Sequence, residues 1–420
     1  MLSKEDNEFI TRIGPATAMG ELLRRFWLPA VLSEELPGPD CVPVRFTLLG
    51  EQLVAIRDSS GRVGIFDAFC PHRGAPLFFG RNEDDGLRCV YHGWKFDTSG
   101  NCVDMPNVRE GEEFKKRVNM LHYASFEGGR MVWVYMGPKD RVPPQPGFEW
   151  LTYPDDHVYV TKYFLECNYL QTLENEWAEG HSSFLHGGLR NGQLHPNIRL
   201  RDEAVIFETD YGAVTGAPGK DAWGKPVEEG KYSLGSHWIL PLFSSAGAVS
   251  APGTQPLNLK IPVDDSHTVF FRVKWSHDPI KPEVIYDYLH GNHEFPTQIP
   301  NAYVTRRNKT NDYEIDRNLQ RSHNYTGVDP YPVQDFMVVE NQRGAINDRT
   351  RETAVSSDRY IIYARRRLIR MAKELMEGKE PEEPWRPEAY RGIANFKQIS
   401  MDEEGYRAIR QPQAIAVEAP

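Results

Sequence analysis

CPHRGAPLFFGRNEDDGLRCVYHGW, residues 70–94, carries Cys70, His72, Cys89 and His92 in the pattern C-x-H-x16-C-x2-H, with Gly74 and Gly93 after the two pairs. Each half offers one thiolate and one imidazole, so two loops facing each other can hold two metal ions. The glycines let backbone N–H groups approach the sulfurs closely. Around this segment the short runs VPVRFTLL, QLVAIRD and RVGIFDAF, separated by turns at Gly50-Glu51 and Ser60-Gly61, predict a β-meander. MVWVYMG adds a closing strand, and KDRVPPQPG (139–147) has the prolines and glycine of an inter-domain connection.

Farther out, Thr17 is placed to cap a helix bearing Met19, Leu22, Leu23, Phe26 and Trp27, which Pro29 would end. Residues 168–186 are polar and acidic with interspersed Leu, Trp and Phe, which suits a helix presenting ligands inward. The runs AVIFET, HWILPLF and TVFFRVKW predict further strands. Ser357 or Asp358 can cap a long helix bearing Ile361, Ala364, Leu368, Met371, Ala372 and Leu375, with Gly378 past its end. Strands followed by helices give an α+β class.

The 420 residues exceed one ordinary hydrophobic core and predict at least two domains. The expected division is a helical segment 1–41, a β-domain 42–145 and a second domain 146–420. With 59 Asp and Glu against 49 Lys and Arg, the balance argues against nucleic acid or an anionic membrane as partner. The N-terminal MLSKEDNEFITRIG has no basic region followed by an apolar core, which predicts a cytoplasmic protein. Five cysteines, Cys41, Cys70, Cys89, Cys102 and Cys167, are too sparse for a disulfide scaffold.

Cysteine and histidine supplied twice matches a Rieske centre, where two cysteines bind one iron and two histidines the other, raising the reduction potential above that of an all-cysteine cluster. A structural Cys2His2 zinc site uses the same ligand types but more often pairs like ligands. A second constellation is sought as two histidines and a carboxylate, the set that holds oxygen-activating iron. His181 and His186 in EGHSSFLHGG are the candidates, at a spacing that suits a distorted helix.

CNYLQTLENEWAEGHSSFLH (167–186) resembles the iron-binding segment of the phthalate-dioxygenase-like Rieske oxygenases, roughly N-[WY]-L-Q-x-x-E-x-x-x-D-x-x-H-x-x-F-x-H. VQDFMVVENQRGAINDRTRE (333–352) resembles their later segment, which places the carboxylate ligand at Asp335, five residues before Glu340. RIGPATAMGELLRRFWLPA, the whole 70–97 block, NDYEIDRNLQR with YTGV, and the helix after Asp358 share the likeness, which is weakest between about 200 and 300. Among this group the longer members, including aryl-ether O-demethylases such as dehydrodivanillate O-demethylase, are the most similar in pattern.

The resemblance implies an N-terminal Rieske [2Fe-2S] β-domain and a catalytic domain whose antiparallel sheet wraps a long helix. It implies a cluster on Cys70, His72, Cys89 and His92 and mononuclear Fe(II) on His181, His186 and Asp335, with Asn175, Glu176 and Glu179 as candidate catalytic residues. Electrons would come from NAD(P)H through a flavin/iron-sulfur reductase or ferredoxin, and the chain would hydroxylate or oxidatively demethylate a small aromatic substrate with O2 as a homotrimer or hexamer. One position departs from the pattern: Ala178 stands where the family has an aspartate that bridges the first iron histidine to a neighbouring cluster histidine. Glu176, Glu179 or an ordered water is expected to replace that bridge. Arg190 is a candidate for meeting a substrate carboxylate, against the plainer reading of a surface arginine. The alternative to an oxygenase is a Rieske electron-transfer or regulatory protein.

Overall fold

The computed structural model describes residues 2–109, 111–178, 180–190, 193–194, 205–219, 226–245, 254–286, 296, 298–299, 302–391, 393 and 398–400. The predicted meander forms as Val44–Leu48, Glu51–Arg57 and Val63–Asp67, each antiparallel to the next, because alternating apolar residues meet at tight turns. His122–Gly128 and Met131–Tyr135 extend it.

The N-terminal segment is not purely helical. The helix capped by Thr17 runs only over Ala18–Leu23, and Trp27–Leu32 becomes an edge strand of the six-stranded sheet, paired with Met131–Tyr135. Pro29 biases the residue before it away from helix, and it sits where the strand register shifts, so its missing N–H breaks no regular ladder. A four-stranded ribbon, Arg81–Glu83, Gly86–Arg88, Lys95–Phe96 and Cys102–Asp104, stands beside this sheet and carries the second metal loop.

Beyond the proline-rich connection lies an eight-stranded sheet. Val158–Leu165, His267–Trp275, Gln255–Asp264, Phe243–Ser245, Lys231–Ile239, Gly212–Ala217 and Val205–Thr209 follow one another across it, Gln398–Ser400 also pairs with Lys231–Ile239, and all pairings are antiparallel. On one face Leu257, Leu259, Phe271 and Val273 join the main core, which also takes Trp133 and Trp150. On the other face Tyr163 and Phe270 pack on Phe336 of the helix Tyr331–Glu340. This second face therefore borders the site. The long helix Arg359–Met376 forms as expected and ends before Gly378, whose φ of +89° suits glycine. It meets the far strands through Tyr363 on Trp238 and through Arg367 Nη1, which donates to the Gly212 carbonyl at 2.6 Å.

The segment 168–186 folds as two pieces rather than one distorted helix. Asn168 caps Tyr169–Trp177 by accepting from Leu170 N at 3.1 Å, and its Nδ2 donates to Thr11 and Asp265 carbonyls. Gly180, at φ +86°, turns the chain before a short helix His181–Phe184. Among the described residues no helix is long and apolar enough to cross a membrane.

Candidate metal centres

The two Rieske-type loops repeat one hydrogen-bond plan. Cys70 N donates to Ala75 O at 2.9 Å and Gly74 N donates to Cys70 O at 2.9 Å; Cys89 N donates to Trp94 O at 2.8 Å and Gly93 N to Cys89 O at 3.0 Å. Both glycines take positive φ, +68° and +76°, where a side chain would be strained. At Gly93 a Cβ would also stand 2.5 Å from Pro106 Cγ. The plan buries both cysteines beside Phe96, Leu77 and Leu87, while the half-buried rings of His72 and His92 meet at 4.6 Å. Trp94 stacks on His72 at 4.3 Å, and its Nε1 donates to Asn107.

Burial, with Cys89 adjacent, pushes the Cys70 thiol up to about 11, so this sulfur becomes a thiolate only when positive metal charge is close by. Burial and then His92 hold His72 below the usual histidine range, which favours the neutral imidazole a metal takes. This donor set, two buried sulfurs and two half-buried imidazoles, fits a [2Fe-2S] group, which Cys70, His72, Cys89 and His92 would hold. Tyr91, 60% exposed, meets the His92 ring at 3.9 Å. All five cysteines are free.

The second centre is assembled from three elements. His181 begins the short helix, His186 follows its end, and Asp335 projects from Tyr331–Glu340; their ligand atoms all lie within 4.8 Å of one another. Asp335 Oδ1 stands 3.2 Å from His186 Nε2 and 3.9 Å from His181 Nε2. Burial alone would raise the Asp335 carboxyl; the hydrogen bond and charge of His186, the charge of His181 and the amide of Asn175 overcome it and hold the group below the usual carboxylate range. For His186 burial works against the charged ring, but Asp335 outweighs it and raises that imidazole. Two imidazoles and one carboxylate fit mononuclear iron.

Each donor is oriented from behind. Asn175 Nδ2 donates to Asp335 Oδ1 at 2.9 Å, which gives this candidate a place beside the donors. His181 Nδ1 lies 2.8 Å from the Ala178 carbonyl, so at the position lacking an aspartate the backbone takes over one hydrogen bond to the histidine. Gln334, absent from the expectations, lies at His186 Nδ1.

Glu176 is engaged within the chain, away from His181. Its two oxygens accept from Asn258 Nδ2 at 2.6 Å and Lys260 Nζ at 2.7 Å, because a fully buried ammonium on the sheet needs a counter-charge. Burial pulls that lysine below its usual range, and Glu176 opposes the shift. Glu179 and the Arg190 side chain lie outside the described residues. Another cation does stand near the site: Arg272 donates to the Tyr331 hydroxyl, and the Tyr331 ring meets His186 edge-on at 5.4 Å. No motif flags Arg272; the strand register brings it to the sheet face that meets Tyr331.

The Rieske [2Fe-2S] domain family matches residues 26–123, and the LigXa C-terminal domain like family matches residues 249–416. The oxygenase subunit of 3-chlorobenzoate-3,4-dioxygenase from Comamonas testosteroni is 35% identical, with 88% of each chain covered. That of phthalate 4,5-dioxygenase from Pseudomonas putida is 32% identical, covering 88% of this chain and 86% of its own. The 5,5'-dehydrodivanillate O-demethylase oxygenase subunit of Sphingobium sp. (strain NBRC 103272 / SYK-6) is 30% identical over 91% and 83%. Identity at this level across nearly nine-tenths of the sequence places the chain in the Rieske non-heme iron oxygenases, as an oxygenase subunit.

Proposed function

We propose that the chain is a terminal oxygenase that takes electrons from NAD(P)H through a separate flavin/iron-sulfur reductase or ferredoxin and oxidises an aromatic carboxylate, by ring hydroxylation or oxidative demethylation. The observation that carries this reading is the gathering of His181, His186 and Asp335 in a chain that also holds the Rieske loops. Bound iron would supply the oxygen-activating chemistry, and the residues around it orient the donors. Exposed Tyr91 beside His92 supports electron entry on that side. Two of the relatives are named for substrates that carry an aryl carboxylate, 3-chlorobenzoate and phthalate. Arg272, on the sheet face by Tyr331 and His186, is the cation placed to answer such a group.

Oxygen consumption with a surrogate reductase tests this. Benzoates with chloro, methoxy or second carboxylate substituents are expected to raise oxygen uptake and yield oxidised products, and the matching neutral amides are not. Equal turnover of acids and amides removes the carboxylate assignment. A reducible cluster with no substrate-dependent uptake favours the electron-transfer reading, for which Ala178 in place of the bridging aspartate is the supporting observation.

The likeness to the family also supports a head-to-tail homotrimer, or a stacked pair, with the cluster of one subunit facing the iron of the next. Free cysteines suit a reducing compartment, in keeping with a cytoplasmic protein. Subunit exchange between an inactive His92→Ala protein and an inactive His181→Ala protein is expected to restore partial turnover, since some interfaces then pair an intact cluster with intact iron. Mixed rings that stay inactive argue against transfer across the interface.

A further inference from the structure

His186 differs from His181 in what holds its outer nitrogen. His181 Nδ1 meets a backbone carbonyl, whereas His186 Nδ1 lies 2.8 Å from the side-chain Oε1 of Gln334. The other end of that amide donates from Nε2 to the Val328 carbonyl at 2.7 Å. A carbonyl only accepts, so the amide nitrogen must face Val328 and the amide oxygen must face the imidazole. Nδ1 therefore carries the proton, and Nε2 is left as the atom facing Asp335 and the metal position.

The anchor for this arrangement is itself tied to the histidine. Tyr325 N donates to Gly187 O at 3.0 Å, and Asn324 bridges to Gly188, soon after His186. Gly327 N donates to Asn324 Oδ1 at 2.6 Å, and Val328 O also accepts from Asn324 Nδ2 and Thr326 Oγ1, each at 3.2 Å. The contacts close a ring from His186 through residues 324–328 and Gln334 back to His186. Gln334 is buried, so its amide is shielded from solvent.

We propose that Gln334 is a positioning residue for the mononuclear metal, fixing the tautomer and orientation in which His186 offers Nε2. This rests on the reading of His186 as a metal ligand. Partners of this kind typically change metal affinity about 10–100-fold.

The test is calorimetric titration of Co(II) into full-length protein whose mononuclear metal has been removed by chelation and whose cluster absorbance is intact. Gln334→Leu is expected to weaken Co(II) binding about 10–100-fold. Its cluster absorbance and thermal midpoint should stay close to the parent, because Val328 O keeps two other donors. Gln334→Glu keeps an acceptor for His186 Nδ1 but cannot donate to Val328, and it is expected to bind Co(II) at least as tightly as the parent. A purely structural role for the Val328 contact predicts the reverse, with Glu as weak as Leu, and that result overturns the proposal. Parent-like affinity in Gln334→Leu also overturns it. If the leucine protein does not accumulate, Gln334→Met removes the acceptor at similar length and is judged the same way. His186→Ala separates the two ideas: loss of Co(II) there with parent-like binding in Gln334→Leu refutes only the positioning role, whereas parent-like binding in His186→Ala refutes the ligand reading.

Discussion

Alanine at His181 or His186 is expected to abolish substrate-dependent oxygen consumption while leaving the visible absorbance of the cluster unchanged. Alanine at Cys70, His72, Cys89 or His92 is expected to remove both. The difference follows from where the groups stand. The cluster donors lie on two loops whose hydrogen bonds are local, Cys70 to Ala75 and Cys89 to Trp94, and whose core is a separate set of buried residues including Phe96 and Leu77. The candidate iron donors stand elsewhere: His181 opens the helix His181–Phe184, His186 follows its end, and Asp335 lies on Tyr331–Glu340. Among the described residues three donors gather at the second centre, so the loss of one leaves too few to retain iron against competing water. Asp335→Asn should also weaken iron retention, because it removes the one negative charge among the three donors. Iron analysis, absorbance and oxygen uptake on each protein check the set. Full turnover in His181→Ala with an intact cluster spectrum would falsify the iron assignment.

Replacing Glu174 by Gln is expected to destabilise the protein by about 3–5 kcal/mol, the range for breaking a buried ion pair from one side. Glu174 accepts from Arg349 Nε at 2.9 Å and Nη2 at 2.8 Å, and from Arg365 Nε at 2.5 Å. Arg365 also reaches Glu352, at 2.6 and 3.0 Å. All three residues of the central triad are buried, with Arg349 wholly so. Removing the shared carboxylate therefore strands guanidinium charge where water cannot solvate it. Glu174 lies next to Asn175 on the helix behind the iron donors, so weakened iron retention should accompany the lower thermal midpoint.

The pH dependence of this network has a definite sign. Burial would raise the Glu174 carboxyl, but the two arginines lower it below its usual value in the folded state. Its contribution is complete above the unfolded carboxylate pKa, about 4.3, and is lost as pH falls below that through the depressed folded value. In the Glu174→Gln protein this component of acid sensitivity should vanish. A midpoint unchanged from the parent at neutral pH, with unchanged acid sensitivity, contradicts the argument.

Much of the fold and of both centres was legible in the linear chain because the signals are local. The meander strands, the long helix and its terminal Gly378 follow from periodicity and turn residues that act within a few positions. The Rieske loops could be read because ligand spacing and two glycines suffice to shape them. The helix at Thr17 was overextended, since the pairing that makes Trp27–Leu32 a strand lies about a hundred residues away in Met131–Tyr135. Asp335 could be named only through resemblance, because nothing in its neighbours distinguishes it from a loop carboxylate.

Sequence by itself determined the donor types, since thiolate, imidazole and carboxylate are fixed by residue identity, and their spacing within each loop. Tertiary structure alone decided what stands behind the donors. Glu176, close to His181 and His186 along the chain, is claimed by buried Lys260 from a strand more than eighty residues on; the Ala178 carbonyl serves His181; and Gln334, adjacent to Asp335, serves His186 instead. These choices depend on which buried charges and polar atoms are brought together and must be satisfied, and a polar group's partner in a packed interior is set by the whole fold.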